Sequence, residues 1–274
     1  MAYYTTKLLK NQHTPVCYNG AMARTLFYQV EGAGEPIVLL HGFLASSQYF
    51  TALRKRLRAT HMVIAIDLLG FGRSPKPAAS QYTYKEQVRA VHEELTRLGI
   101  QKFALAGHSL GALVALRYAQ EYPASVRRLI LFNPPMYRGG AQAAATLKST
   151  GLHYRVMLHS PWRDIAWYGA KVLPRIPFNK KRPPINLTDV LRPTTHARQR
   201  TYENIILKGE FFNDIAQVKV PTLLVMGKSD RPQYHKNASG WLPPSHVRCV
   251  TVSTGHHLPV KHPKLAEQLV RSHL

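Results

Sequence analysis

Cysteine and acid are the scarce commodities of this sequence, and long apolar runs are missing. Its two cysteines, Cys17 and Cys249, are too few for a disulfide-stapled scaffold. Both lie in stretches with strand character and read as reduced, half-buried thiols. No run of 18 apolar residues occurs, so no transmembrane helix is expected. Met1 to Thr14 carries Lys7 and Lys10 without the apolar core of a signal peptide, and the chain reads as mature and cytoplasmic. Metal-ligand spacing is missing as well: His256, His257 and His262 form a His-His-x4-His pattern that matches no known ligand set and has no acidic companion. No metal and no cofactor are expected.

Only 14 acids stand against 37 lysines and arginines, a formal charge of +23, which at low salt attracts polyanions or anionic substrates. The cations are mostly dispersed. Tight runs occur at Arg54-Lys55-Arg56 and Lys180-Lys181-Arg182, and each reads more simply as a solvated face. No helix-turn-helix, zinc finger or aromatic RNA-binding signature accompanies them, so no specific nucleic-acid partner is expected. A proteome of generally basic proteins is the simpler and sufficient explanation of the charge.

What is present is enough apolar residue, 45% of 274, to bury the core of one large domain. Apolar strand runs at 37–40, 62–67, 103–106, 129–132, 223–226 and 247–252 alternate with helical patterns at 48–58, 84–98, 110–121 and 263–274. The second helix shows the pattern best, with Val88, Val91, Leu95 and Leu98 three or four residues apart. Such alternation predicts an α/β fold, a mostly parallel twisted sheet flanked by helices on both faces. It stops between Pro134 and about Asp214, a stretch with Tyr154, Trp162, Trp167, Tyr168 and several prolines. A structureless loop of that length is improbable inside a compact domain, which predicts a structured insertion. Helices are expected near 140–158 and 162–172, with a proline-rich link at 173–184.

The chemistry is concentrated at Gly107-His108-Ser109-Leu110-Gly111, set between an apolar strand and a helical pattern. A Gly-x-Ser-x-Gly in that context is a nucleophile elbow, a tight turn that needs small residues on either side of the serine. A serine hydroxyl is a weak nucleophile alone and requires a histidine base held by a carboxylate. Asp230 ends the turn after the strand of Pro221 to Met226, and Gly255-His256 follows the alternating run Val247 to Val252. Taken as an ordinary helix N-cap, Ser109 would leave its two glycines and its partners unexplained. Taken as a plain turn residue, Asp230 would leave its place after a buried strand unexplained.

Six ordered segments carry a resemblance to α/β-hydrolase-fold serine hydrolases of the esterase and lactonase kind, over roughly Gly20 to Leu274. They are Asn19-Gly20 with Thr25 to Val30, similar to an opening hairpin; Ile37 to Phe43, similar to the third strand and oxyanion loop; Asp67-Leu68-Leu69-Gly70-Phe71-Gly72-Arg73-Ser74; the elbow; and the two late segments with acid and base. The order Ser, Asp, His is that of the family. The resemblance implies a hydrolase core at 1–133 and 216–274 and a helical cap insertion at 134–215, whose aromatics either line the pocket or pack the cap onto the core.

It also implies roles. Ser109 would be the nucleophile, Asp230 the acid and His256 the base, preferred over His257 because the family places the base directly after a glycine. The alternative acid position, at the end of the preceding strand, holds the uncharged Asn133. Backbone N–H groups of Phe43 and Leu110 would form the oxyanion hole. His41 and Asp67 would order loops. A serine at the elbow argues against relatives that use aspartate there, the haloalkane dehalogenases and epoxide hydrolases. The loop Phe43-Leu44-Ala45-Ser46 and Ala112 after Gly111 depart from the pattern of carbon–carbon bond hydrolases. The expected reaction is hydrolysis of small to medium, largely apolar esters or lactones. Carbon–carbon hydrolysis, acyl transfer or perhydrolysis on the same triad, and a non-catalytic basic binding protein on this scaffold, are the alternatives.

Overall fold

The computed structural model of the chain describes residues 17–18, 21–22, 25–149 and 187–274. Tyr154, Trp162, Trp167, Tyr168, the second expected insertion helix, the proline-rich link and the Lys180-Lys181-Arg182 run lie outside the described residues.

Strands β1 (Cys17–Tyr18) and β2 (Ala21–Met22) form a short antiparallel pair of their own. The main sheet comprises β3 (Tyr28–Glu31), β4 (Glu35–Leu40), β5 (His61–Ile66), β6 (Phe103–His108), β7 (Val126–Phe132), β8 (Thr222–Gly227) and β9 (Val247–Val252), in the order β3-β5-β4-β6-β7-β8-β9. All neighbours are parallel except β3, which runs antiparallel to β5 with Tyr28 opposite Ile66. An antiparallel pair thus flanks positions 19 and 20, and of the segment 25–30 the residues from Tyr28 on form, among the described residues, a strand at the edge of the main sheet, paired along β5.

Parallel strands with helices on both faces must be apolar on both sides. Ile37, Val38, Leu39 and Leu40 of β4 are accordingly fully buried. Alternate residues feed two cores. Val38, Leu40, Ile64, Ile66 and Leu105 meet α2 (Tyr84–Arg97) and α3 (Leu110–Glu121), whereas Ile37, Leu39, Val63 and Ala65 meet α1 (Thr51–Leu57) and the C-terminal helix Pro263–Arg271. Helix α2 starts at a capping box: Thr83 accepts from the Glu86 N–H, and the Glu86 carboxylate accepts from the Thr83 N–H. Its apolar stripe, Val88, Val91 and Leu95, is buried. The expected helix at 48–58 begins instead as a 3₁₀ turn, Ser47–Phe50, because the Ser46 hydroxyl accepts from the Gln48 N–H and tightens the first turn.

After β7 come α4 (Gly140–Ser149), α5 (Leu187–Leu191), α6 (Thr195–Asn204) and α7 (Phe211–Gln217). The last packs on α3, where Arg117 pairs with Asp214 at 2.8 Å. Two short helices interrupt the late strands, α8 (Pro232–Ala238) and α9 (Leu258–Lys261), before α10 (Pro263–Arg271) closes the chain. No helix among the described residues is long and apolar enough to cross a membrane.

Two surface expectations change. Cys249 is exposed, not half-buried, because β9 is the open edge of the sheet. Arg54 is buried rather than part of a solvated basic face, with its guanidinium 2.7 Å from Glu31.

Candidate active site

The end of β6 and the start of α3 converge on Ser109, which has φ 52° and ψ −116°. That backbone region is costly for any residue with a Cβ. The strain is held by close packing. A methyl added to Gly107 would lie 2.2 Å from the Gly111 carbonyl oxygen, and one added to Gly111 would lie 2.1 Å from the Leu40 carbonyl oxygen. The Ser109 N–H is fixed to the Phe132 carbonyl at 2.9 Å. Its hydroxyl makes no capping bond to α3; Oγ instead lies 3.1 Å from His256 Nε2.

His256 Nδ1 is 3.0 and 3.1 Å from the two carboxylate oxygens of Asp230. The turn carrying Asp230 is tied to the strand end that carries the histidine: Lys228 N–H donates to the Val252 carbonyl and Ser229 N–H to that of Thr254, at 2.8 and 2.9 Å. Burial alone would raise the Asp230 carboxyl pKa. Hydrogen bonds from His256, Asn133 and the Arg231 N–H reverse this and hold it below the ordinary carboxylate range. An ionised Asp230 accepts the Nδ1 proton, so Nε2 is the bare nitrogen facing the serine.

Asn133, read in the sequence only as an uncharged residue at the alternative acid position, has a part of its own. Its backbone turns back at φ 49° after β7, its N–H donates to the Val225 carbonyl at 2.9 Å, and Nδ2 donates to Asp230 at 2.8 Å. No local pattern signals this, because the contact spans two strands.

On the other side of Ser109 lies the loop after β4. A methyl on Gly42 would sit 3.3 Å from Ser109 Cβ and 2.9 Å from His108 Nδ1, so the loop packs directly against Ser109. Phe43 follows that glycine, its ring 5.7 Å from Phe71 and 6.0 Å from Tyr202. Leu110 opens α3, where a first-turn N–H has no intrahelical acceptor. His41 is fully buried, and burial pushes its pKa down. Its neutral ring donates from Nδ1 to the Gly42 carbonyl at 2.8 Å and accepts the Leu68 N–H at Nε2 at 3.0 Å, tying two loops together. Asp67 accepts from the Ser47 and Arg73 N–H groups at 2.6 and 2.7 Å. Both residues organise loops, and neither contacts Ser109.

His257 Nδ1 lies 3.3 Å from the Tyr49 hydroxyl, whereas it is His256 that reaches Ser109. Burial, with His256 and Lys261 beside it, brings its pKa down to about 4. Tyr49 and His108, neither assigned a part by the sequence, thus join the site. Part of the segment after β7 contacts the loops around it. Asp189 of α5 accepts from Ser46 at 2.6 Å, Tyr202 of α6 meets Phe43, and a methyl on Gly70 would lie 3.0 Å from Ala197 of α6.

A strained serine between two obligatory glycines, at the carboxyl ends of parallel strands, defines a class of protein. The model of the alpha/beta hydrolase fold family matches residues 35–148. An esterase from Exiguobacterium antarcticum superposes with a TM-score of 0.70 at 19% identity, covering 90% of this chain and 94% of that one. The chain has the α/β-hydrolase fold. Among curated relatives, Lipase 1 of Psychrobacter immobilis is 29% identical over 73% of this chain, and the Arabidopsis thaliana protein named probable lysophospholipase BODYGUARD 3 is 37% identical over 38% of it. The chain spans 63% of the former's length and 22% of the latter's.

Proposed function

We propose that the protein is a carboxylic ester hydrolase that works through an acyl-enzyme on Ser109. The observation that carries this reading is the continuous hydrogen-bonded line from Ser109 Oγ through His256 to Asp230, at 3.1 and 3.0 Å. In the first half-reaction Ser109 Oγ attacks the ester carbonyl carbon and its proton passes to His256 Nε2. Asp230 stays ionised and holds the Nδ1 proton, which stabilises the imidazolium. The N–H groups of Phe43 and Leu110 donate to the oxyanion, a contribution of about 10² to 10³ in rate for one such donor. Collapse expels the alcohol, which takes the proton from His256. Water then attacks the acyl carbon while losing a proton to His256; the acyl–Oγ bond breaks, the acid leaves, and His256 returns that proton to Ser109 Oγ.

The names of the relatives, lipase, lysophospholipase and esterase, agree with ester chemistry. The insertion at 134–215 serves as a cap in this reading; the contacts of α5 and α6 on the loops around Gly70, Phe43 and Ser46 support it. A cap over the serine favours small to medium, largely apolar esters or lactones over polymers. The test is a panel of p-nitrophenyl esters and lactones of increasing acyl length. Short and medium acyl groups should turn over, and Ser109→Ala should abolish turnover. Preference for long-chain or polymeric substrates would contradict a closed cap, and full activity of the alanine variant would contradict the mechanism.

A further inference from the structure

We propose that Tyr49 and His257 are positioning residues for His256, acting through a hydrogen-bond chain that passes through His108 and ends on the His256 carbonyl oxygen. The inference rests on the reading of His256 as the base. Three separate elements supply the chain: Tyr49 from the 3₁₀ turn behind the β4 loop, His108 from the end of β6, and the His256-His257 pair after β9. The Tyr49 and His108 rings stack with centroids 4.6 Å apart and planes 19° apart.

Proton counting gives the chain a direction. His108 is almost fully buried, and burial pushes its pKa well down, so the ring is neutral and has one N–H. Its Nδ1 has no hydrogen-bond partner among the described residues and faces Gly42. A proton there would be orphaned in the interior, which is costly. The proton therefore sits on Nε2, 2.7 Å from the His256 carbonyl, a group that can only accept. Nε2 also lies 3.1 Å from the Tyr49 hydroxyl; being protonated, it cannot accept from the phenol and shares its proton between the phenol oxygen and the His256 carbonyl. The phenol proton is left for His257 Nδ1 at 3.3 Å, which must then be the bare nitrogen of a neutral ring. Burial keeps the phenol protonated and His257 neutral, as this requires.

The His108 proton thus faces both the Tyr49 and His256 oxygens while Tyr49 donates to His257, so that His108 joins the Tyr49–His257 pair to the backbone of the base itself. Neither Tyr49 nor His257 hydrogen-bonds Ser109. Their effect falls on how steadily the His256 imidazole spans Ser109 and Asp230, which is a matter of turnover and not of substrate affinity.

The test compares Tyr49→Phe, which keeps the stacked ring, with His257→Leu, which removes the acceptor, and with His257→Asn, whose side-chain oxygen restores one. Each of the first two should lower kcat on p-nitrophenyl butyrate about tenfold with KM unchanged, less than the roughly hundredfold cost of a misplacement by one ångström. The double variant Tyr49→Phe/His257→Leu should be no slower than either single one, and His257→Asn should recover most of the loss. Rates of Ser109 labelling by a fluorophosphonate should fall in step with kcat. Losses that multiply in the double variant, appear in KM or are absent would overturn the chain. Independently of any variant, long-range ¹H–¹⁵N spectra of the intact protein should show His108 and His257 as Nε2–H tautomers, and an Nδ1–H form at either would refute the proposal. Failure of wild-type Ser109 to react with the probe would instead refute the functional reading, while the tautomers would still decide the chain.

Discussion

At the scale of single residues, the proposed mechanism separates groups that would meet the substrate from groups that set their protonation. Asp230 shows the second kind of control. Taken alone its burial favours the neutral acid, yet donors from three directions keep it charged. Asp230→Asn should therefore lower kcat by about 10⁴ while leaving the fold intact, because an amide stabilises the wrong imidazole tautomer. Asn133→Ala should act more mildly and with a defined sign. Loss of a donor to the charged form raises the Asp230 pKa, so the acid limb of the kcat profile should move to higher pH. A shift to lower pH, or none, would show that Asn133 does not support the carboxylate. Ser109, Asp230 and His256 were all legible in the sequence because each sits at a strand end with a local signature. Asn133, Tyr49 and His108 were not, because their contacts join residues 59 to 148 positions apart and no periodicity encodes such a meeting.

The elements explain why the serine stays strained. Strands β4 and β6 and helix α3 approach so closely that residues 107 and 111 have no space for a side chain. Gly111→Ala would drive a methyl into the carbonyls of Leu40 and His41, at 2.1 and 2.5 Å. Both acceptors belong to backbone that the sheet and its loop hold in place. The substitution should cost about 3 kcal/mol, the upper range for overpacking, read as a lower urea midpoint with unchanged m-value. It should also cost activity out of proportion to stability, since the displaced helix start carries the Leu110 N–H. A midpoint equal to wild type would mean the elbow is looser than described. The strands were readable as apolar runs and α2 as a 3.6-residue stripe. Helices α8 and α9 were not anticipated: seven and four residues long, they are too short to show a period, and their prolines mark turns as readily as helix starts.

Over the whole molecule, some of the scarce carboxylates are shared between two arginines, while one arginine draws on two acids. Glu31 pairs with Arg54 and Arg58, Glu267 with Arg56 and Arg271, and Arg117 draws on both Glu210 and Asp214. The unbalanced charge makes acid conditions doubly unfavourable, because three histidines, His41, His108 and His257, are held neutral by burial. Their folded pKa values lie below the unfolded value of about 6.5. The unfolded chain therefore binds more protons as pH falls, and the stability present above pH 6.5 is lost on acidification. For His257, with a pKa near 4, the loss is spread between about pH 6.5 and 4 and amounts to roughly 3 kcal/mol. Chemical denaturation across that range should show falling stability, with a shallower slope in His257→Asn. A pH-independent midpoint would mean that these rings titrate freely.

The most direct test of the account is covalent. Treatment of the intact protein with a fluorophosphonate probe, followed by peptide mass spectrometry, should place the adduct on Ser109 alone, and Ser109→Ala should carry none. His256→Ala should react far more slowly at the same residue. An adduct on another serine, or no adduct under conditions where His256 is neutral, would contradict the assignment of Ser109 as an activated nucleophile.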